Sequence, residues 1–179
     1  MCIRDRFGGP ATEPAQAPGR YAKWLDQLKK HQRGELALRA YDNVEGVARR
    51  LARTNPRLAR DTLGRDKADW LARHWSRQNA QGQWEILGDP AHKIINAQLL
   101  RVDELLALYR CISMPVLAVE AEDEAMWQWW KGSFTRAHYH ERLQSVPDHR
   151  IAVVADAGHM LHHDQPQQLA RLIEPFLAL

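Results

Sequence analysis

Two short apolar runs limit the fold of this chain more than any other feature: Pro115-Val116-Leu117-Ala118-Val119 and Ile151-Ala152-Val153-Val154. Neither alternates apolar with polar residues, as a half-exposed strand does. Both are apolar throughout and rich in strand formers, the pattern of strands covered on both faces in a parallel sheet. Between them lie an acidic loop, Glu120 to Glu124, and a helical stretch from Thr135 to Leu143. After the second run, Leu169, Leu172, Ile173, Phe176 and Leu177 give a final helix a wide core-facing stripe, with Asp164 as its expected cap and Pro166 in its first turn. Strand, helix, strand and helix at this spacing make a parallel βαβα unit, so the expected fold class is α/β. Two strands make a poor sheet, and the unit reads as the edge of a larger one.

The preceding sequence has a different character. Residues 7–20 read as loop, being dominated by Gly8, Gly9, Pro10, Pro14, Pro18 and Gly19. Residues 21–110 read as mainly helical. Tyr21, Trp24, Leu25 and Leu28 fall on one stripe; Val44, Val47, Ala48 and Leu51 fall on a second, opened by the capping-box pair Asp42 and Glu45 and stopped at Asn55-Pro56. A third helix is expected from near Asp66, carrying Trp70, Leu71, His74 and Trp75, and a fourth over Leu99 to Tyr109, with a short extended piece at Trp84 to Leu87 between them. The α/β region then occupies residues 111–179. Residues 1–6, Met1-Cys2-Ile3-Arg4-Asp5-Arg6, resemble one translated frame of a transposon-end sequencing adaptor. They are set apart as an expected artefact, with whatever preceded Phe7 expected to be missing.

Charge and composition narrow the functional classes. The net charge is only +3, and Arg49, Arg50, Arg53, Arg57 and Arg60 are scattered singly, as on solvated helix faces. Without a basic tract, no nucleic-acid partner is expected. The longest apolar run, Met114 to Val119, is far too short to cross a bilayer, and no segment has the pattern of a signal peptide. The two cysteines, Cys2 and Cys111, lack metal-ligand spacing, so the expected compartment is a reducing cytoplasm.

Ala157-Gly158-His159-Met160-Leu161-His162-His163-Asp164-Gln165-Pro166, set between a strand and a helix, resembles the histidine loop of the α/β-hydrolase fold superfamily. The stretch from Tyr21 to Tyr109 resembles the lid that this family inserts after its sixth strand, and Gly82-Gln83-Trp84 leading to Asp89-Pro90 resembles a lid segment of bacterial members. The resemblance covers nearly everything from Phe7 onward. It implies a C-terminal fragment: a helical lid followed by the last βαβα unit of the hydrolase sheet. It also implies that His159 is a general base, since a serine hydroxyl is a poor nucleophile until an imidazole takes its proton. That imidazole needs an acid to fix its tautomer. Many members read Gly-x-x-Asp after the penultimate strand. Aligning Ala121 with the glycine puts Glu124 at the acid's place and Asp123 one residue earlier, and both stay open. In some members the acid instead follows the sixth strand, upstream of this chain.

No Gly-x-Ser-x-Gly elbow occurs, and Ser76, Ser113, Ser133 and Ser145 all lack flanking glycines at the required spacing. The parent is therefore expected to be a hydrolase of an ester or related acyl bond, taking a small substrate of apolar character without a cofactor, and the fragment alone to be inactive. An epoxide hydrolase, a dehalogenase or a carbon–carbon bond hydrolase is the alternative within the fold; a non-catalytic helical binding module with a small α/β tail is the alternative outside it. His162 and His163 invite a metal reading, but no acid or cysteine completes a ligand set, and no metal is expected. His138 and His140 read as surface helix residues. Trp127, Trp129 and Trp130 read either as core packing or as the lining of a pocket.

Overall fold

The computed structural model describes residues 2–4, 8–59 and 67–178. Its elements are β1 (Cys2–Arg4), α1 (Ala17–Gln32), β2 (Ala40–Tyr41), α2 (Val44–Thr54), α3 (Lys67–Trp75), β3 (Ser76–Gln78), β4 (Trp84–Ile86), α4 (Val102–Arg110), β5 (Val116–Ala121), α5 (Ala125–Gln128), α6 (Arg136–Leu143), β6 (His149–Val154), α7 (Leu161–Asp164) and α8 (Pro166–Leu177). Asp66, Arg60, Phe7, and Met1, Asp5 and Arg6 of the adaptor-like segment lie outside the described residues. The chain divides into two units, Met1–Glu13 with Leu99–Leu179, and Pro14–Gln98.

In the first unit, β5 and β6 pair in parallel, Val116 beside His149 through Ala121 beside Val154. All six residues of β5 are buried. Their alternation splits them between two apolar layers. Val116 and Ala118 pack with Tyr109, Phe134, Tyr139, Leu143 and Val146 on one face. Leu117, Val119 and Ala121 pack with Val154, Ala157, Leu161 and Leu169 on the other, backed by Leu172, Ile173 and Phe176 of α8. Burial on both faces accounts for the continuous apolar run of β5. The same cover was expected for β6, but β6 ends the sheet order β1-β5-β6, and Ile151 and Val153 on one of its faces are 41% and 54% exposed. Both strands extend beyond their runs, so Glu120 belongs to β5 rather than to the acidic loop.

Within the first unit, α4 supplies Leu105, Leu106 and Tyr109 to the first apolar layer. That helix starts at Val102 rather than Leu99. Cys2–Arg4 form a third parallel strand beside β5, although residues 1–6 read as foreign to the fold. Such pairing needs only backbone groups, which the open edge of β5 presents. The turn at Gly8 takes φ +98°, a left-handed conformation that favours glycine, and Arg142 Nη1 donates to the Gly9 carbonyl at 2.6 Å.

In the second unit, α2, the 3-10 turn Pro56–Ala59 and α3 bury Val44, Val47, Ala48, Leu58, Ala68, Leu71 and Ala72, with Tyr41, Trp84 and Ile86 packed against them. The last three lie on an antiparallel sheet of order β2-β4-β3. β2 and β3 are too short to have left a period in the sequence. The cap of α2 is Asn43, whose side chain accepts from Gly46 N at 2.9 Å, not Asp42. Structure also begins before residue 20: a 3-10 turn spans Pro14–Gln16 and α1 follows at once. Pro18 fits there because the first helical turn has no use for its missing N–H. Among the described residues no helix is long and apolar enough to cross a membrane.

Candidate active site

The segment after β6 leaves the sheet through Asp156, whose φ of +48° turns the backbone sharply, and then runs through the buried Ala157 and Gly158 to the exposed His159. Its path is fixed at several points. Asp156 N donates to Glu122 Oε2 at 2.9 Å, and Gln165 Nε2 donates to the Asp156 carbonyl at 3.2 Å. Gly158 N donates to Asp164 Oδ2 at 2.8 Å. Asp164 was expected to cap the final helix; instead it closes the short helix α7 and braces the turn that presents His159. The N-cap of α8 is Gln165, with no capping side-chain bond. A carboxylate six residues beyond Gly158 can satisfy either a helix end or a loop amide, and sequence alone does not distinguish them.

The segment after β5 runs alongside. Glu122 N donates to the Val154 carbonyl at 3.0 Å, and Asp123 N donates to the Ala157 carbonyl at 3.1 Å. Main-chain hydrogen bonds thus continue the β5–β6 ladder beyond the strands and tie the Asp123 turn to the residue two before His159. Asp123 Oδ1 accepts from Ala125 N at 2.8 Å, which orients the carboxylate at the start of α5. Glu124 is exposed, and its Oε1 lies 3.3 Å from Arg136 Nη1. The two acid candidates thus make different contacts, Asp123 with the Ala125 amide and Glu124 with the Arg136 guanidinium.

A second group of polar residues lies at the end of β5 and escaped the sequence reading. Glu120 is only 4% exposed. Burying a carboxylate is costly unless cations and donors surround it, and here they do. His140 Nε2 lies 2.6 Å from Glu120 Oε1, and Arg136 Nε lies 3.6 Å from Glu120 Oε2. His140 is therefore a half-buried partner of Glu120 rather than a plain surface residue. His138 is exposed and closes the capping box of α6, taking the Thr135 N–H on Nδ1 while its own N–H goes to Thr135 Oγ1. The one sequence signal for this group was a charged residue directly after an apolar run.

Trp127 and Trp130 pack on the Phe134 and Tyr139 layer, the core reading of these residues, whereas Trp129 is 76% exposed. His162 and His163 lie in α7 with ring centroids 3.8 Å apart. Near the Gly8 turn, burial pushes the Tyr109 hydroxyl up to about 12, with the Arg142 charge partly offsetting it.

No protein-family model and no curated protein matches the chain. Solved structures do. The hypothetical protein PA1622 from Pseudomonas aeruginosa PAO1 superposes with a TM-score of 0.72 at 19% identity, over 99% of this chain and 58% of that one. E-2-(acetamidomethylene)succinate hydrolase gives 0.64 at 20% identity, over 99% and 57%. The thioesterase domain from the curacin biosynthetic pathway gives 0.66 at 20% identity, over 92% and 54%. The chain thus spans little more than half the length of each. It has an α/β-hydrolase fold, matched over part of that fold's length.

Proposed function

We propose that this chain is the C-terminal part of a hydrolase that cleaves an ester or related acyl bond. His159 is its general base and Asp123 the acid that orients the imidazole. The observation that carries this reading is the hydrogen bond from Asp123 N to the Ala157 carbonyl, which holds the acid's turn against the histidine's loop. Asp123 is preferred to Glu124 because the latter's carboxylate is engaged by Arg136. The acyl-bond class draws support from the fold and from the similar thioesterase domain. The nucleophile is a serine in a Gly-x-Ser-x-Gly elbow supplied by sequence beyond this chain. As the serine oxygen attacks the acyl carbon, its proton passes to His159, and the imidazolium then returns it to the leaving group. No cofactor enters this chemistry.

The test begins with the longer genomic or metagenomic coding sequence. The extended protein is expected to turn over a short-chain p-nitrophenyl ester, and His159→Ala to lower kcat by at least about a thousandfold. Residues 7–179 alone are expected to show no turnover. Robust turnover by that piece, lost in His159→Ala, overturns the assignment of the nucleophile to missing sequence. An aspartate at the centre of the elbow replaces acyl transfer with epoxide or haloalkane hydrolysis.

A further inference from the structure

The turn that carries Asp123 is gripped by one guanidinium from α6. Arg136 Nη2 donates to the Ala121 carbonyl at 3.0 Å and to the Glu122 carbonyl at 3.4 Å. Its Nε faces the buried Glu120 carboxylate at 3.6 Å, and its Nη1 faces Glu124 at 3.3 Å. A single side chain thereby touches four of the five residues from Glu120 to Glu124 and leaves only Asp123 out. Facing Glu120 takes only the Nε edge of Arg136, and His140 Nε2 already lies within hydrogen-bond distance of the same carboxylate. The two carbonyl bonds and the Glu124 pair are surplus to that need, and they bracket Asp123 on both sides. A planar fork of donors can serve several acceptors at fixed angles, which a lysine ammonium cannot do.

We propose that Arg136 is a positioning residue for the acid: it fixes the 121–124 turn so that the Asp123 carboxylate keeps the orientation in which it serves His159. The inference rests on the reading of Asp123 and His159 as acid and base.

The test uses the full 179-residue chain carrying nitrogen-labelled histidine. Long-range proton–nitrogen spectra, recorded where the ring is neutral, show which nitrogen of His159 bears the proton. An acid partner holds that proton on Nδ1. Asp123→Asn is expected to shift the balance to Nε2. Arg136→Lys keeps a cation beside Glu120 and so preserves the fold. Arg136→Gln with Glu120→Gln removes both buried charges together. Each Arg136 variant is expected to move the His159 tautomer part of the way towards the Asp123→Asn result. Each is also expected to speed amide exchange at Asp123 and Ala125 by roughly tenfold, the scale of one charge-assisted hydrogen bond. If Asp123→Asn moves the tautomer and Arg136→Lys leaves it unchanged in a folded chain, Arg136 is merely structural and the proposal falls while the acid assignment stands. If Asp123→Asn itself changes nothing, the acid assignment falls, and the role of Arg136 with it.

Discussion

The two units use the same kinds of apolar pattern and reach different degrees of burial. In the first, β5 is covered on both faces, by Phe134, Tyr139 and Leu143 on one side and by Leu161 and Leu169 on the other. In the second, the three residues of β4 are each only partly buried, and α1 buries none of its residues. The stripe of Tyr21 and Leu25, so clear in the sequence, leaves both near half exposed, at 48% and 47%. Apolar periodicity states which face of an element is available for packing. Whether a layer covers that face is decided by the rest of the fold.

This contrast can be broken at several points, taken here from the largest effect to the smallest. Leu143→Ala removes a fully buried side chain from the first unit and is expected to cost about 2–5 kcal/mol in denaturant unfolding. A loss under 1 kcal/mol means that this layer is loosely packed. Tyr109 supplies the pH-dependent case. Its hydroxyl stays protonated to about 12 in the folded chain and ionises near 10 when unfolded, so the folded state binds more protons in between. Its contribution is fully present below pH 10 and is lost as pH rises towards 12, by about 2–3 kcal/mol in all. Tyr109→Phe is expected to flatten this part of the alkaline stability curve, and an unchanged slope refutes its origin. In the second unit, Asn43→Ala is expected to cost about 1 kcal/mol through the lost cap, with amide exchange rising first at Gly46. Leu25→Ser is expected to change stability by no more than about 0.5 kcal/mol. A larger loss shows that something covers this stripe in solution.

The legible parts of the fold were those carrying a long apolar run or stripe. The two parallel strands and α8 follow from their apolar patterns, although β6 leaves Ile151 and Val153 exposed. β2 and β3, of two and three residues, carry no period to read. Within the site, the Gly158-His159 turn was visible as a motif, and its neighbours were visible as acids. Their duties were not. Asp164 braces a loop where it reads as a cap, and Glu120 is buried where it reads as solvated, because each duty depends on a partner brought near only by folding. Arg136 and His140 lie 16 and 20 residues beyond Glu120, and no local pattern joins them.

The bond between Asp123 and Ala157 has one more consequence, since it joins amide to carbonyl and involves neither side chain. The same is true of the bond from Glu122 N to the Val154 carbonyl. Part of the frame that brings these two turns together is thus built from atoms that every residue type except proline possesses, with the Glu122 carboxylate adding a side-chain bond to Asp156 N. At position 123 the side chain's structural duty is to accept the Ala125 N–H, which Asn or Ser also does. On the proposed reading, the acid and base mounted in this way are exchangeable fittings on a largely fixed bracket. Mutation can retire or replace the chemistry one residue at a time and still leave the scaffold intact, to be tried with another reaction.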